Sequence, residues 1–236
     1  EWDQFKWDGK RFGEPMADFK LAEVYSLIHK LQPQALIGSN HHLAPNPGED
    51  FQMFEKDLPG RSTKSFATSS DDIGNLPLEV CETINGSWGF NLKDRKHKSK
   101  KELVQYLIKA AGYDSNLLLN VGPMPNGKIQ EEHIKSLKEI GEWIKVNGET
   151  IYGTIRGPID PTDEIASTQK DNTIYIHLLD NRKTYFIEGY NPKIKKISYY
   201  HSNKKVKYEK TKSGLIINVD DSELDGYVYP DVNDVV

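Results

Sequence analysis

Hydrophobic positions in the first 150 residues follow two patterns, one with helical spacing and one of short continuous runs. Helical spacing predicts amphipathic helices over residues 17–32, 99–112 and 131–147. Ser99, with Glu102 three residues later, predicts a capping box at the start of the second helix. Apolar runs of strand length lie at residues 34–39, 76–83 and 116–123. This alternation predicts an α/β layer whose polar insertions follow the strand ends.

From about residue 155 the pattern changes to short β-branched and aromatic runs separated by turn-forming residues. This spacing is typical of an antiparallel β-sandwich. We therefore predict an α/β plus all-β chain, with domains over residues 1–154 and 155–236. The runs that carry the second prediction are TIYIHLL, TYFIEGY, IKKISYY, KVKYEK, GLIINV and GYVYP.

Composition excludes several classes of partner. The 236 residues carry 31 basic and 35 acidic side chains, a net charge of −4, which favours neither nucleic acid nor an anionic membrane. No apolar run approaches the roughly 20 residues that a membrane span needs. The basic run Lys93–Lys101 has no interleaved aromatic residue and is interpreted as a solvated loop. Cys81 is the single cysteine, so the chain has no internal disulfide and its redox compartment stays open.

Carboxylates concentrate in the segment GEDFQMFEKDLPG, residues 48–60. In an extended conformation Glu49, Phe51, Met53 and Glu55 would face one side. A carboxyl group held against apolar side chains suits general acid catalysis near neutral pH. Composition alone equally describes a surface strand with acidic decoration. Phosphate loops, G-x-S-x-G elbows and H-E-x-x-H motifs do not occur in the sequence.

Two other groups are candidates for binding. His41 and His42 follow the first predicted strand, and adjacent residues of an extended chain point in opposite directions, so a shared metal is disfavoured. A hydrogen-bonding role in a pocket and an ordinary loop pair both remain open. Trp2 and Trp88 lie in polar, glycine-containing contexts, where an indole could stack on a sugar ring or simply pack.

Residues 1–154 resemble the α-L-fucosidases of glycoside hydrolase family 29. The segments that carry the resemblance are HKLQPQALIGSNHH, GEDFQMFEKDLPG, LPLEVCETINGSWGFN and NLLLNVGPMPNGKIQEEHIKSLKEIGEWIKVNGETIYGT. The resemblance implies the C-terminal part of a (β/α)8-like barrel followed by an antiparallel β-sandwich. It also implies hydrolysis of terminal α-L-fucose with retention through a glycosyl-enzyme, with no metal and no cofactor.

Site residues follow from the same resemblance. Glu55 is expected to be the acid/base, with Glu49 as the alternative. Trp2, His41, His42 and Trp88 are expected to bind the sugar. The family's nucleophile is the Asp of a W-F-D-G type strand end, which would precede Glu1. We therefore expect the N-terminal half of the barrel and the nucleophile to lie upstream, and this chain alone to be inactive.

The expected partners are a fucosylated oligosaccharide or glycoconjugate and the missing N-terminal part of the same enzyme. The resemblance favours a periplasmic, secreted or lysosomal location without deciding among them. A non-catalytic fucose- or carbohydrate-binding protein with the same fold is the main alternative function. A purely structural β-sandwich partner domain is a third.

Overall fold

The computed structural model describes residues 6–7, 10–11, 20–40, 44–60, 73–220 and 231–235. Trp2, His41 and His42 therefore lie outside the described residues. The chain divides into two compact units, each made of two segments. The first comprises Glu1–His97 and Ser115–Ile129, and the second Lys98–Asp114 and Gln130–Val236. The domain boundary predicted between residues 154 and 155 rests on a change of sequence pattern and stays a prediction.

The first unit contains a four-stranded sheet in which every neighbouring pair is parallel. The order of the strands in the sheet equals their order in the chain. Because all of these pairs are parallel, the four strands end at the same edge of the sheet. Its strands are β3 (Gly38–Ser39), β4 (Phe51–Glu55), β5 (Leu78–Thr83) and β6 (Ser115–Asn120). A two-stranded ribbon, β1 (Lys6–Trp7) with β2 (Lys10–Arg11), and the helix α1 (Leu21–Leu31) complete the described elements of this unit.

Local packing explains two features of this sheet. Strand β4 shows the alternation expected for an extended segment. Gln52 and Phe54 are buried, whereas Phe51, Met53 and Glu55 are half-buried. Gly38 faces Phe51 across the β3–β4 pair, where a Cβ atom would approach the Phe51 ring to 2.2 Å. Only glycine fits at that position without moving the ring.

Helix α1 forms within the predicted range, but its apolar face is largely exposed. Tyr25 is its only buried residue, whereas Leu27 is 54% exposed and Leu31 is 70% exposed. The helix therefore has an amphipathic pattern that the described residues of the chain do not cover.

The second unit contains two longer helices. The helix α2 (Lys100–Gly112) begins at the predicted capping box, since the Ser99 hydroxyl accepts from Glu102 N–H and the Glu102 carboxylate accepts from Ser99 N–H at 2.8 Å. The helix α3 (Glu131–Asn147) has the predicted bounds and leads into a 3₁₀ turn at Gly148–Thr150. Val104, Ile108 and Trp143 of these helices pack in one cluster with Ala166 and Leu179.

Every strand pair that the structure describes in the β-rich remainder of the second unit is antiparallel. One sheet has five strands and the other three, and buried residues of both contribute to one hydrophobic cluster. The five-stranded sheet contains β7 (Ile155–Arg156), β8 (Ile165–Lys170), β9 (Thr173–Leu178), β11 (Lys196–Tyr199) and β14 (Asp231–Val235). The three-stranded sheet contains β10 (Thr184–Glu188), β12 (Lys207–Lys210) and β13 (Gly214–Asn218). Five of the six predicted runs supply strands, and the sixth, residues 226–230, lies outside the described residues.

Within the described part of the chain, no helix combines the length and hydropathy that crossing a bilayer requires.

Candidate active site

Four consecutive strands bring polar or aromatic residues to the carboxyl edge of the parallel sheet. Asn40 directly follows β3, Glu55 is the last residue of β4, Trp88 lies in the loop after β5, and Asn120 ends β6. Carboxyl ends of parallel strands are where α/β folds place their ligand sites. This edge is therefore the candidate active site.

Glu55 is held through both carboxylate oxygens. The Asn40 side-chain amide donates to Oε2 at 2.8 Å, and the Trp88 indole N–H donates to Oε1 at 2.8 Å. These two bonds, one to each oxygen, constrain the plane of the Glu55 carboxyl group. Asn40 Oδ1 is buried and has no hydrogen-bond partner among the described residues. The predicted pair Glu55 and Trp88 are thus in direct contact.

Trp88 is itself positioned by two further residues. Asn120 Nδ2–H donates to the Trp88 backbone carbonyl at 2.7 Å. The Lys56 ammonium lies 4.8 Å from the centroid of the indole ring and donates to the Gly86 carbonyl at 2.8 Å. Trp88 remains 36% exposed, so part of the ring is open to solvent.

The backbone directly after Glu55 turns sharply. Lys56 has a φ of 56°, in the left-handed region that costs a side-chain-bearing residue about 1 kcal/mol or more. Its N–H donates to the Cys81 carbonyl at 2.8 Å, which ties the turn to the end of β5. This turn directs the Lys56 side chain to the carbonyl of Gly86 and the ring of Trp88, next to Glu55.

The loop of residues 85–96, called the Trp88 loop below, is folded on itself around Asp94. Asp94 Oδ2 accepts from Gly86 N–H at 2.8 Å, and this carboxylate also accepts from the Ser87 hydroxyl and from the backbone N–H groups of Ser87 and Lys96. Burial alone would raise the pKa of Asp94, but these hydrogen bonds outweigh burial and hold the pKa below its ordinary value. Asp94 therefore stays ionised and fastens the loop that presents Trp88.

The loop after β6 also touches the Trp88 loop. At Gly122 a Cβ atom would lie 2.5 Å from the Gly89 carbonyl carbon and 2.6 Å from the Phe90 nitrogen. Real Cβ atoms do not approach backbone this closely. The absence of a side chain at this position lets the two loops meet.

Cys81 lies opposite Glu55 in the β4–β5 register. Burial raises the pKa of its thiol to about 11, and the negative charge of Glu55 adds to the increase. The thiol donates weakly to the Phe54 carbonyl at 3.8 Å. Cys81 is therefore a protonated, packed neighbour of the site at neutral pH and not a nucleophile.

Glu49 lies at the other end of β4. It is buried and accepts from the Tyr25 hydroxyl at 3.2 Å and from the Asn46 N–H at 2.9 Å. Strand geometry separates Phe51 from Glu55 by about 13 Å, and Glu49 lies two residues further back. The two candidate carboxylates thus occupy different environments, Glu49 among helix and loop donors and Glu55 at the carboxyl edge.

Sequence reasoning missed Asn40, Lys56 and Asn120. A signal existed for the two asparagines, because Asn40 directly follows the run predicted as a strand at 34–39, and Asn120 directly follows the three leucines of the run predicted at 116–123. No local signal identified Lys56, whose role depends on its left-handed backbone and on a loop 30 residues away. Within the described residues, no group of three or more metal-ligating side chains is arranged to hold a metal ion.

Comparison with known proteins decides the family. Residues 2–149 match the family model described as alpha-L-fucosidase. The chain belongs to the α-L-fucosidase family. The resemblance noted from the sequence is thereby confirmed, and with it the assignment to glycoside hydrolases.

Individual relatives agree with the family match. The plasma alpha-L-fucosidase of Homo sapiens is 30% identical over 161 residues, which cover 57% of this chain and 34% of the relative. The alpha-L-fucosidase of Branchiostoma floridae is 27% identical over 207 residues, covering 75% of this chain and 45% of the relative. This fucosidase-family chain thus spans about a third to a half of the length of these relatives.

Solved structures of fucosidases share the fold. Alpha-L-fucosidase isoenzyme 1 from Paenibacillus thiaminolyticus superposes with a TM-score of 0.75 at 27% identity, covering 95% of this chain and 56% of that one. The Thermotoga maritima alpha-fucosidase superposes with a TM-score of 0.71 at 23% identity, covering 92% and 49%. The mixed α/β architecture of this chain is therefore that of a fucosidase over nearly its whole length.

Proposed function

We propose that this chain supplies the acid/base half of a retaining α-L-fucosidase that removes terminal α-L-fucose from glycans. The observation that carries the proposal is the position of Glu55, at the carboxyl end of a parallel strand, with the Asn40 amide donating to one oxygen and the Trp88 indole to the other. Membership of the α-L-fucosidase family supplies the substrate class.

In the proposed reaction Glu55 acts twice. As a carboxylic acid it gives its proton to the bridging oxygen while a partner aspartate attacks the anomeric carbon and the bond to the leaving group breaks. As a carboxylate it then takes a proton from water, which attacks the same carbon and releases the aspartate. Two inversions give net retention, and the two carboxyl groups must stand roughly 5–5.5 Å apart.

The residues around Glu55 have positioning roles in this proposal. Asn40 and Trp88 constrain the carboxyl plane, so that the Glu55 carboxyl group meets the bridging oxygen in a defined orientation. The exposed part of the Trp88 ring would pack against the apolar face of fucose. Trp2, His41 and His42 remain proposed sugar-binding residues, and Glu49 remains the alternative acid/base.

We further propose that the complete enzyme adds the rest of a (β/α)8-like barrel to the first unit, and that the β-rich remainder of the second forms the C-terminal β-sandwich. The shares of the relatives that this chain covers, and the exposed apolar face of α1, support that proposal. The partner aspartate would come from the added part. The chain by itself should then not turn over an aryl fucoside, and turnover at normal enzyme rates would contradict this.

The test of Glu55 compares leaving groups in the complete protein. Glu55→Ala should slow fucosides with poor leaving groups by about 10²–10⁴-fold and activated aryl fucosides much less, because only the former need protonation. Glu49→Ala is the matched comparison and should lower stability without any dependence on the leaving group. Equal loss for all leaving groups in Glu55→Ala would reassign Glu55 to binding. Fucose binding without turnover by the unaltered complete protein would favour the carbohydrate-binding alternative.

A further inference from the structure

The Trp88 loop carries a cluster of cations as well as its indole. Lys93, Arg95 and Lys96 are exposed, and they stand on either side of Asp94 in the sequence. Among the described residues, no carboxylate lies within ion-pair distance of any of these three side chains, and Asp94 accepts its hydrogen bonds from the loop itself. The loop therefore carries an excess of positive charge on a chain whose net charge is −4.

The fold of the loop limits how far these cations lie from Trp88, which holds the candidate acid/base. Ser87, directly before Trp88, donates to the Asp94 carboxylate through both its backbone and its hydroxyl. Chain and bond lengths then limit the separation of the Trp88 and Asp94 Cα atoms to about 12 Å. Lys93 and Arg95 are the immediate chain neighbours of Asp94, and Trp88 itself is bonded to Glu55 at 2.8 Å.

Three cations in a short loop repel one another, and an anion between them would relieve this repulsion. The general acid of a glycosidase faces the leaving-group oxygen, so part of the surface beside it borders the leaving group, even where a neighbouring ring such as Trp88 packs against fucose. Lys93, Arg95 and Lys96 lie in the same loop as Trp88 and can therefore reach a leaving group that extends over this loop. An arginine in such a set can also bind an oxyanion through two parallel hydrogen bonds.

We propose that the Trp88 loop selects fucosides whose leaving group is an anionic glycan, one that carries a sulfate ester or a carboxylate. The inference rests on the proposed function, since it assigns a substrate class to the same site. A sulfate ester and a carboxylate both present an oxyanion. This oxyanion would lie within a few sugar units of the cleaved bond and would be attracted by Lys93, Arg95 and Lys96.

The test uses three fucosylated oligosaccharides with the same cleaved linkage in the complete protein. One leaving group is neutral, one carries a sulfate ester and one a uronate carboxylate. The unaltered protein should cleave the anionic substrates with the higher kcat/KM at low salt, and added NaCl should reduce the preference because exposed charges are screened. The two anionic arms distinguish a sulfate-directed from a carboxylate-directed site.

The deciding variant is Lys93→Ser/Arg95→Ser/Lys96→Ser. It should lower kcat/KM for the preferred anionic substrate about tenfold and leave the neutral substrate unchanged. Lys193→Ser/Lys195→Ser/Lys196→Ser is the matched control, with the same spacing and charge change on exposed residues of the second unit, and it should change neither value.

Two results would overturn the inference while leaving the proposed function intact. Equal loss on neutral and anionic substrates would mean that the loop only positions Trp88. No loss on either would mean that the three cations form an ordinary solvated surface. Absence of turnover of every substrate by the unaltered complete protein would instead refute the proposed function, and the substrate preference with it.

Discussion

The indole N–H of Trp88 donates a 2.8 Å hydrogen bond to Glu55, across 33 residues of sequence. This bond joins the loop after β5 to the last residue of β4. It makes the orientation of the candidate acid/base depend on Trp88, and through Trp88 on Lys56, Asn120 and the Asp94-fastened loop.

Trp88→Phe tests that dependence, because phenylalanine keeps an aromatic ring but has no N–H to donate. A hydrogen bond to a charged group contributes about 1.5–3 kcal/mol, so kcat in the complete protein should fall about 10- to 100-fold. The loss should be larger for fucosides with poor leaving groups, since these need a correctly oriented proton donor. Steady-state kinetics on a leaving-group series measures it.

Trp143→Phe is the control for the same chemical change. Trp143 is buried in the α2–α3 cluster, and its indole N–H has no hydrogen-bond partner among the described residues. Its replacement should lower the free energy of unfolding through lost packing and leave the leaving-group dependence unchanged. A flat leaving-group dependence in Trp88→Phe, like that of the control, would show that the Trp88–Glu55 bond does not orient the acid.

Local signals were sufficient for much of the fold. The bounds of α3 and the Ser99–Glu102 capping box depend on residues a few positions apart, and both are confirmed. Strand β4 was not among the predicted strands, although its alternation is the one expected for an extended segment. The antiparallel pairing of the β-rich region also follows from short runs and turns.

The site was harder to predict because its contacts are distant in sequence. Asn40 reaches Glu55 over 15 residues, and Asn120 reaches Trp88 over 32. Neither contact leaves a periodic signal, and each exists only because four parallel strands end at one edge. The exposure of Leu27 and Leu31 was equally unpredictable, since the apolar spacing of a helix does not say what covers it.

Asp50 should make the first unit sensitive to acid. Its carboxylate accepts from Ile37 N–H at 2.7 Å and pairs with His29 at 2.8 Å, and these contacts, the Ile37 bond first, hold the pKa of Asp50 below its ordinary 3.8. A carboxyl group with a lowered pKa stabilises the fold at pH values above its pKa in the unfolded state. This contribution is lost as the pH falls through its pKa in the folded state.

Asp50→Asn should therefore lower the free energy of unfolding above about pH 5, with a difference from the unaltered protein that shrinks below pH 4. Urea unfolding at a series of pH values measures this difference. Glu139→Gln, which removes a half-buried surface carboxylate 3.8 Å from Lys135, is the control and should change little at any pH. A difference for Asp50→Asn that stays constant down to pH 2 would contradict the link to ionisation.

Cys81 should make the fold sensitive to alkali. Burial, with the charge of Glu55 adding to it, raises the pKa of the thiol from 9.0 to about 11, so between these values the unfolded chain binds fewer protons than the folded one. The free energy of unfolding then falls with rising pH across that interval, by at most about 2.7 kcal/mol, since each unit of pKa difference corresponds to about 1.4 kcal/mol. Cys81→Val should remove this part of the dependence, and parallel pH profiles for the two proteins would contradict it.

Gly122 provides the most direct structural test of the site. In Gly122→Ala the new Cβ would meet the backbone of Gly89 and Phe90 at 2.5–2.6 Å, so the Trp88 loop must shift. A shift of about 1 Å at a catalytic residue can cost 10²-fold in rate, and we expect a loss of that order in kcat in the complete protein.

Gly141→Ala is the control, because a Cβ atom at this position of the helix α3 would meet nothing within 4 Å. It should raise the free energy of unfolding by about 0.5–1 kcal/mol and leave kcat unchanged. Unchanged kcat in Gly122→Ala would mean that the loop yields without moving Trp88, and that the approach of the two loops does not set the geometry of Glu55.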